Sequence, residues 1–178
     1  MSREREELLY NVQSLTDVLS HIKEQIASDV KEHGAYRTLG ERPPVPREEL
    51  IEKYRLRIAK ITGKEVRVLD DTVECIVKYA GANGSFFNYI PSKKVEVDRP
   101  SGWVISDCVI LYFNKTSDTA TLKTQINEVY EDLTVWHQAV TEDVLAINSQ
   151  IPGLVDEAIA AHEDKKSQDK ALEDELNS

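Results

Sequence analysis

The sequence predicts an α+β protein in which long, coiled-coil-like N- and C-terminal helices flank a small, mostly antiparallel β-sheet. Three observations carry this expectation. Leu8, Val12, Leu15, Leu19, Ile22 and Ile26 recur at spacings of 4, 3, 4, 3 and 4, the 3.5-residue repeat of a helix packed along a partner helix. Leu122, Ile126, Val129, Leu133, Trp136 and Val140 repeat those spacings near the other end. Between them, residues 66–113 hold short runs rich in β-branched and aromatic side chains, the composition of strands.

Taken in order, residues 1–34 form the N-terminal arm, with Gly34 as a stop after Lys31 and His33. Residues 35–46 form a connector whose Gly40-Glu41-Arg42-Pro43-Pro44-Val45-Pro46 run is too proline-rich for helix or central strand. Residues 47–117 hold a short helix and the sheet. Pro46 suits a first helical turn, and Glu48 and Glu49 favour the positive end of its dipole. Ile51, Tyr54, Ile58 and Ile61 then form its stripe, and Gly63 ends it.

Strands are expected at Val66–Val68 and Val73–Tyr79 around an Asp70-Asp71 turn, and near Phe86–Ile90 before Pro91. Gly81–Ser85 reads as a loop, Val95 and Val97 as a short alternation, and Arg99–Gly102 as a turn. The strongest strand spans Trp103–Phe113, with Trp103, Ile105, Val109, Leu111 and Phe113 on one face and Asp107 out of place. The C-terminal arm, 118–166, starts at the N-cap Asp118, continues through Val144, Ile147 and Ile151, and is broken or kinked at Pro152. Residues 167–178 read as a fraying acidic tail.

The net charge is −10. Residues 1–62 carry 11 Lys/Arg and 11 Asp/Glu, residues 63–117 carry 7 and 7, and residues 118–178 carry 4 and 14. A C-terminal third so acidic repels phosphate, so direct binding of duplex DNA is not expected. No apolar run approaches the roughly 18 residues of a membrane span, and the charged start Met1–Glu7 does not read as a signal peptide. Cys75 and Cys108 lie in strand-like runs and read as small buried groups. A cytoplasmic protein without membrane contact is expected.

Motifs for chemistry are missing. His21, His33, His137 and His162 are scattered singly, with no Cys-x-x-Cys pair and no H-E-x-x-H, so no metal site is expected. His137 reads as an interhelical polar contact. Gly81-Ala82-Asn83-Gly84-Ser85 lacks the Lys-Ser/Thr of a phosphate loop, and no G-x-S-x-G occurs. Glu131-Asp132 and Glu142-Asp143 are adjacent, and neighbours on a helix diverge. No catalytic, cofactor or metal residue is assigned. Phe86, Phe87, Tyr89 and Trp103 cluster near loops beside Lys93, Lys94 and Arg99. These aromatics are either the core of a small sheet or, with the three cations, candidate partner contacts.

Phe87-Asn88-Tyr89-Ile90-Pro91-Ser92, Arg99-Pro100-Ser101-Gly102, and the helix reaching Asn148, Ile151-Pro152 and Val155-Asp156-Glu157-Ala158-Ile159 form a further pattern. Over about residues 79–166 it resembles an uncharacterised bacterial family whose members often carry a C-terminal restriction-endonuclease-like domain. Here an acidic tail stands where that domain would follow, so no cleavage chemistry carries over. The resemblance implies an accessory or sensing component of a restriction-like defence system. The expected function is a non-catalytic module that binds another protein, itself or both. The alternatives are a nucleic-acid-processing subunit completed by another chain, and an acidic DNA mimic.

Overall fold

Along Thr72–Ala80, Val73, Cys75, Val77 and Tyr79 alternate with Glu74, Ile76 and Lys78, and this period of two sends one set of side chains to each face. The computed structural model, which describes residues 7–37 and 46–177, makes this run a strand near the middle of a five-stranded sheet. The elements in chain order are β1 (Glu7–Leu8), β2 (Gln13–Ser14), α1 (Leu15–Arg37), α2 (Arg47–Tyr54), β3 (Lys60–Val68) and β4 (Thr72–Ala80). A 3-10 turn (Gly84–Asn88), β5 (Tyr89–Ile90), β6 (Ser101–Ile105), β7 (Cys108–Asn114) and α3 (Thr119–Leu176) complete them. The sheet order is β1-β6-β7-β4-β3, every neighbour antiparallel. β2 and β5 form a separate parallel pair.

The chain divides into two compact units, Met1–Thr16 with Arg57–Leu145, and Asp17–Leu56 with Ala146–Ser178. The first holds the sheet. Val73, Cys75 and Val77 pair with Phe113, Leu111 and Val109, and all but the partly exposed Phe113 are buried. Phe86, Phe87 and, on α3, Ile126, Leu133, Trp136, Val140 and Val144 are buried as well. Lys64 on β3 reaches α3, 3.2 Å from Asn127 Oδ1 and 4.2 Å from the Tyr130 ring centre.

The second unit is helical. Val18, Ile22, Ile26 and Val30 of α1, Leu50 and Tyr54 of α2, and Ile147, Ile151 and Val155 of α3 are its buried residues. Asp29 accepts from both Lys53 Nζ and the Tyr54 hydroxyl at 2.6 Å. Arg47 forks onto Asp156 at 2.6 and 2.9 Å.

Several expectations are corrected. Residues 8–14 are not helical: Leu8 and Val12 are 50% and 70% exposed, and the backbone here bonds to distant chain. Leu9 N donates to Pro100 O, Tyr10 N to Phe87 O and Val12 N to Asn88 O. Tyr10 has φ of +56°, a left-handed conformation no helix accepts. The helix starts where the Ser14 hydroxyl accepts from Thr16 N, and its buried stripe is Leu15, Val18, Ile22, Ile26 and Val30. α1 runs past Gly34 to Arg37, since an interior glycine costs a helix only about 1 kcal/mol. The proline-rich stretch 40–45 lies outside the described residues.

α2 ends at Tyr54, and Ile58 and Ile61 continue in extended chain and β3. Gly63 is no stop but sits at a register shift between β3 and β4. Phe86 and Phe87 lie in the 3-10 turn, capped by the Asn83 side chain. Val95 and Val97 form no strand, and Gly102 belongs to β6.

Trp103–Phe113 is two strands, turned at Ser106-Asp107. Trp103 pairs with Ile110 and Ile105 with Cys108, so both lie on the face opposite Val109, Leu111 and Phe113. Asp107 looked misplaced because it is a turn residue. α3 is unbroken at Pro152 and helical through Leu176. A proline inside a helix costs about 3 kcal/mol, and burial of Ile147, Ile151 and Val155 on both sides of it opposes a break. Half of the acidic tail, Lys170, Ala171, Leu172, Glu173, Glu175 and Leu176, consists of residues that favour helix without packing.

Candidate partner-binding cleft

Between β5 and β6 the chain runs without regular structure from Pro91 to Pro100. Two anchors on α3 hold it. Ser92 donates through N and Oγ to the Asp143 carboxylate, at 2.5 and 2.8 Å. Trp136 Nε1 donates to the carbonyls of Val97 and Asp98, at 3.3 and 3.1 Å. Trp136 and Asp143 are two helical turns apart and so share a face. A segment with no strand partner is thereby fixed along one side of the helix.

That segment borders a cavity of about 570 Å3. Leu8, Ile90, Pro91, Val95 and Trp136 supply apolar lining, and Ser92, Lys93, Lys94 and Arg99 supply polar groups. The Arg99 Cζ lies 4.9 Å from the Trp136 ring centre, and its Nη1 donates to Asn11 Oδ1 at 2.5 Å. A guanidinium on an indole face is held by cation–π attraction. Among the described residues Arg99 and Lys93 form no ion pair, whereas Lys94 meets Glu96 at 3.2 Å. Among the described residues, then, no carboxylate is ion-paired with Arg99.

Behind the cleft the packing is aromatic. Tyr10 stacks on Trp136 with ring centres 5.9 Å apart and planes 16° apart, and tilts against Phe87 at 5.8 Å. Its hydroxyl is buried with no hydrogen-bond partner among the described residues, and burial pushes its ionisation far above the usual tyrosine range. A bulky residue at positive φ is strained, and such strain clusters at functional sites. Asp132, one turn before Trp136, has its pKa raised by burial first and then by Asp98, Glu128 and Glu131. That flank is already crowded with negative charge.

The seven residues singled out from sequence separate into groups. Phe86 and Phe87 are 1% and 0% exposed, so they are core and not contact surface; Phe87 meets Tyr79 at 4.8 Å. Tyr89 is half-buried, edge-on to Phe86. Trp103 is 48% exposed on the sheet face away from α3's Lys64 contacts. Lys93, Lys94 and Arg99 do converge on the cleft. Missed were Leu8, Asn11 and Trp136, which the heptad spacing or its helix had absorbed.

His137 is not an interhelical contact. Its Nε2 donates to Ala59 O at 2.5 Å, and its ring is 5.2 Å from that of Phe86. Burial lowers its pKa, partly offset by that hydrogen bond. Cys75 is buried and Cys108 partly so, and burial raises both thiols. Among the described residues no helix is long and apolar enough to cross a membrane, and no group of three His, Cys, Asp or Glu is placed to hold a metal ion. No family model, curated protein or solved structure matches the chain.

Proposed function

We propose that this chain is a non-catalytic, cytoplasmic partner-binding module, and that its cleft receives a segment of another protein carrying a carboxylate beside an apolar side chain. The observation that carries this is Arg99. It is oriented by Trp136 and Asn11, ion-paired with no carboxylate among the described residues, and set in an apolar lining. An arginine fork recognises a carboxylate in two bonds, and aromatic and arginine anchors in pockets dominate interface energies. The resemblance of residues 79–166 to a family linked to restriction-like systems supports an accessory or sensing role.

The test is a titration with acetyl-Leu-Glu-Leu-amide and its glutamine counterpart, followed through the Trp136 indole N–H by NMR. The glutamate peptide should shift that signal saturably, and the glutamine peptide and the Arg99→Gln variant should do so far less. Equal response to both peptides, or none to either, removes this reading of the cleft.

A further inference from the structure

β3 is an edge strand. It pairs with β4 on one side, and among the described residues nothing pairs with its other side. It is nine residues long, contains no proline, and carries Lys64, Glu65, Val66, Arg67 and Val68 all exposed. Val66 and Val68 are 49% and 63% exposed. Open edges this long present unpaired backbone donors and acceptors, which proteins ordinarily cover or blunt. We infer that β3 pairs antiparallel with β3 of a second copy of this chain, with the twofold axis at Val66, joining two five-stranded sheets into one.

The order of charges selects both the occupant and the register. With the axis at Val66, Glu65 lies opposite Arg67 of the partner copy, and Arg67 opposite its Glu65. Val66 then faces its own counterpart, and Val68 faces the aliphatic stem of Lys64. Directly opposed unlike charges stabilise a strand pair, and like charges oppose it. Moving the axis to residue 65 opposes two glutamates, and moving it to 67 opposes two arginines. The strand is complementary to itself in one of these three registers. Glu65 now meets Lys78 at 2.9 Å and Arg67 at 3.6 Å, in pairs about half exposed, so sharing its charge across a new interface gives up little. A twofold contact uses one patch twice, as most homodimers do. The dimer would carry two clefts, but the inference does not rest on what the cleft binds.

Light scattering on the full chain should give a dimer mass that falls to a monomer on dilution. Glu65→Arg alone and Arg67→Glu alone each oppose like charges twice and should weaken dimerisation at least tenfold. The double variant E65R/R67E reverses every pair and should restore it, although it cannot restore the contact with Lys78. In a Cys75→Ala, Cys108→Ser background, needed because Cys75 is the partner of Val66 across β3 and β4, Val66→Cys should give a disulfide-linked dimer under mild oxidation. Val68→Cys, which does not face itself, should not. A monomer at millimolar concentration, failure of the double variant to recover, or equal crosslinking at both positions overturns the inference.

Discussion

The side-chain amide of Asn148 closes on both backbone polar groups of Leu56. Its Oδ1 accepts from Leu56 N at 2.8 Å, and its Nδ2 donates to Leu56 O at 2.9 Å. An amide side chain here does what a neighbouring strand does for a backbone. It satisfies the chain just past α2, where Arg55 is already extended, and offers those groups an alternative to another helical turn.

Asn148→Ala should therefore destabilise the helical unit. It leaves two half-buried backbone groups to water, a cost of about 1–3 kcal/mol, and at roughly 2–4 °C per kcal/mol for a chain of this size the melt should fall by several degrees. Melting within one degree of the parent would contradict this account of where α2 ends.

Gly102 and Gly63 should respond differently to alanine. A Cβ at Gly102 would stand 2.8 Å from Ile110 O and 3.0 Å from Leu111 Cδ2, whereas one at Gly63 meets nothing within 4 Å. Gly102→Ala should cost about 1–3 kcal/mol, as forced overpacking does, and Gly63→Ala should be close to neutral. Urea denaturation of the two variants checks the contrast, and equal midpoints would contradict the β6–β7 packing.

Stability should fall as pH drops below about 6.5, the ordinary histidine pKa. Burial holds folded His137 below that value, so the unfolded chain takes up the proton first. The contribution of the neutral ring is complete above the unfolded pKa and is lost as pH falls toward the folded one, where the loss levels off. Asp118, Asp156 and Glu65 have lowered pKa values, the first two through Thr121 and Arg47 and the third through Lys78, so their losses come in more acidic solution. Denaturant titrations between about pH 5.5 and 7.5, roughly a unit either side of the usual histidine pKa, should show the slope, and His137→Gln should flatten it.

The isolated chain should not bind duplex DNA at physiological salt. Useful affinity takes about 6–10 phosphate contacts on one face. The cleft offers Lys93, Lys94 and Arg99, of which Lys94 already meets Glu96. Acidic groups also crowd its flank, where Asp98, Glu128 and Glu131 act on Asp132 and Asp143 meets Ser92, and they repel phosphate within a Debye length of about 8 Å. An anisotropy titration reaching micromolar affinity with a steep salt dependence would reverse this.

Where a side chain's role depended on neighbours in sequence, it could be read in advance. Strand β4 follows from the β-branched run at residues 73–79, and the β3–β4 turn from Asp70-Asp71. The start of α3 follows from Asp118, whose carboxylate accepts from Ala120 N and Thr121 N at 3.1 Å. The α3 stripe from Ile126 through Ile151 is largely the one its apolar spacing describes. At the site, the charges of Lys93, Lys94 and Arg99 were visible, because no folding can remove an arginine's charge.

Periodicity failed where two structures share one spacing. Leu8 and Val12 fit a heptad, yet Tyr10 turns left-handed and its neighbours bond to residues 87, 88 and 100. Those partners lie far along the chain, so no local pattern encodes them. The alternation from Trp103 to Phe113 survives a two-residue turn, which leaves the spacing intact while reversing the face. Phe86 and Phe87 sit beside loop residues in sequence but are core, because burial is set by what packs on top.

The sequence by itself determined the local terms: the acidic C-terminal third, the β-branched centre, the helical stripes and the stock of charged side chains. The tertiary structure alone decided that Arg99 meets Trp136, that Asn148 meets Leu56, and that β3 is left at an edge. Propensity and charge belong to each residue and act over a few neighbours. A cleft or an open edge is a relation between segments tens of residues apart, and it exists only once backbone pairing and burial have chosen which surfaces are covered.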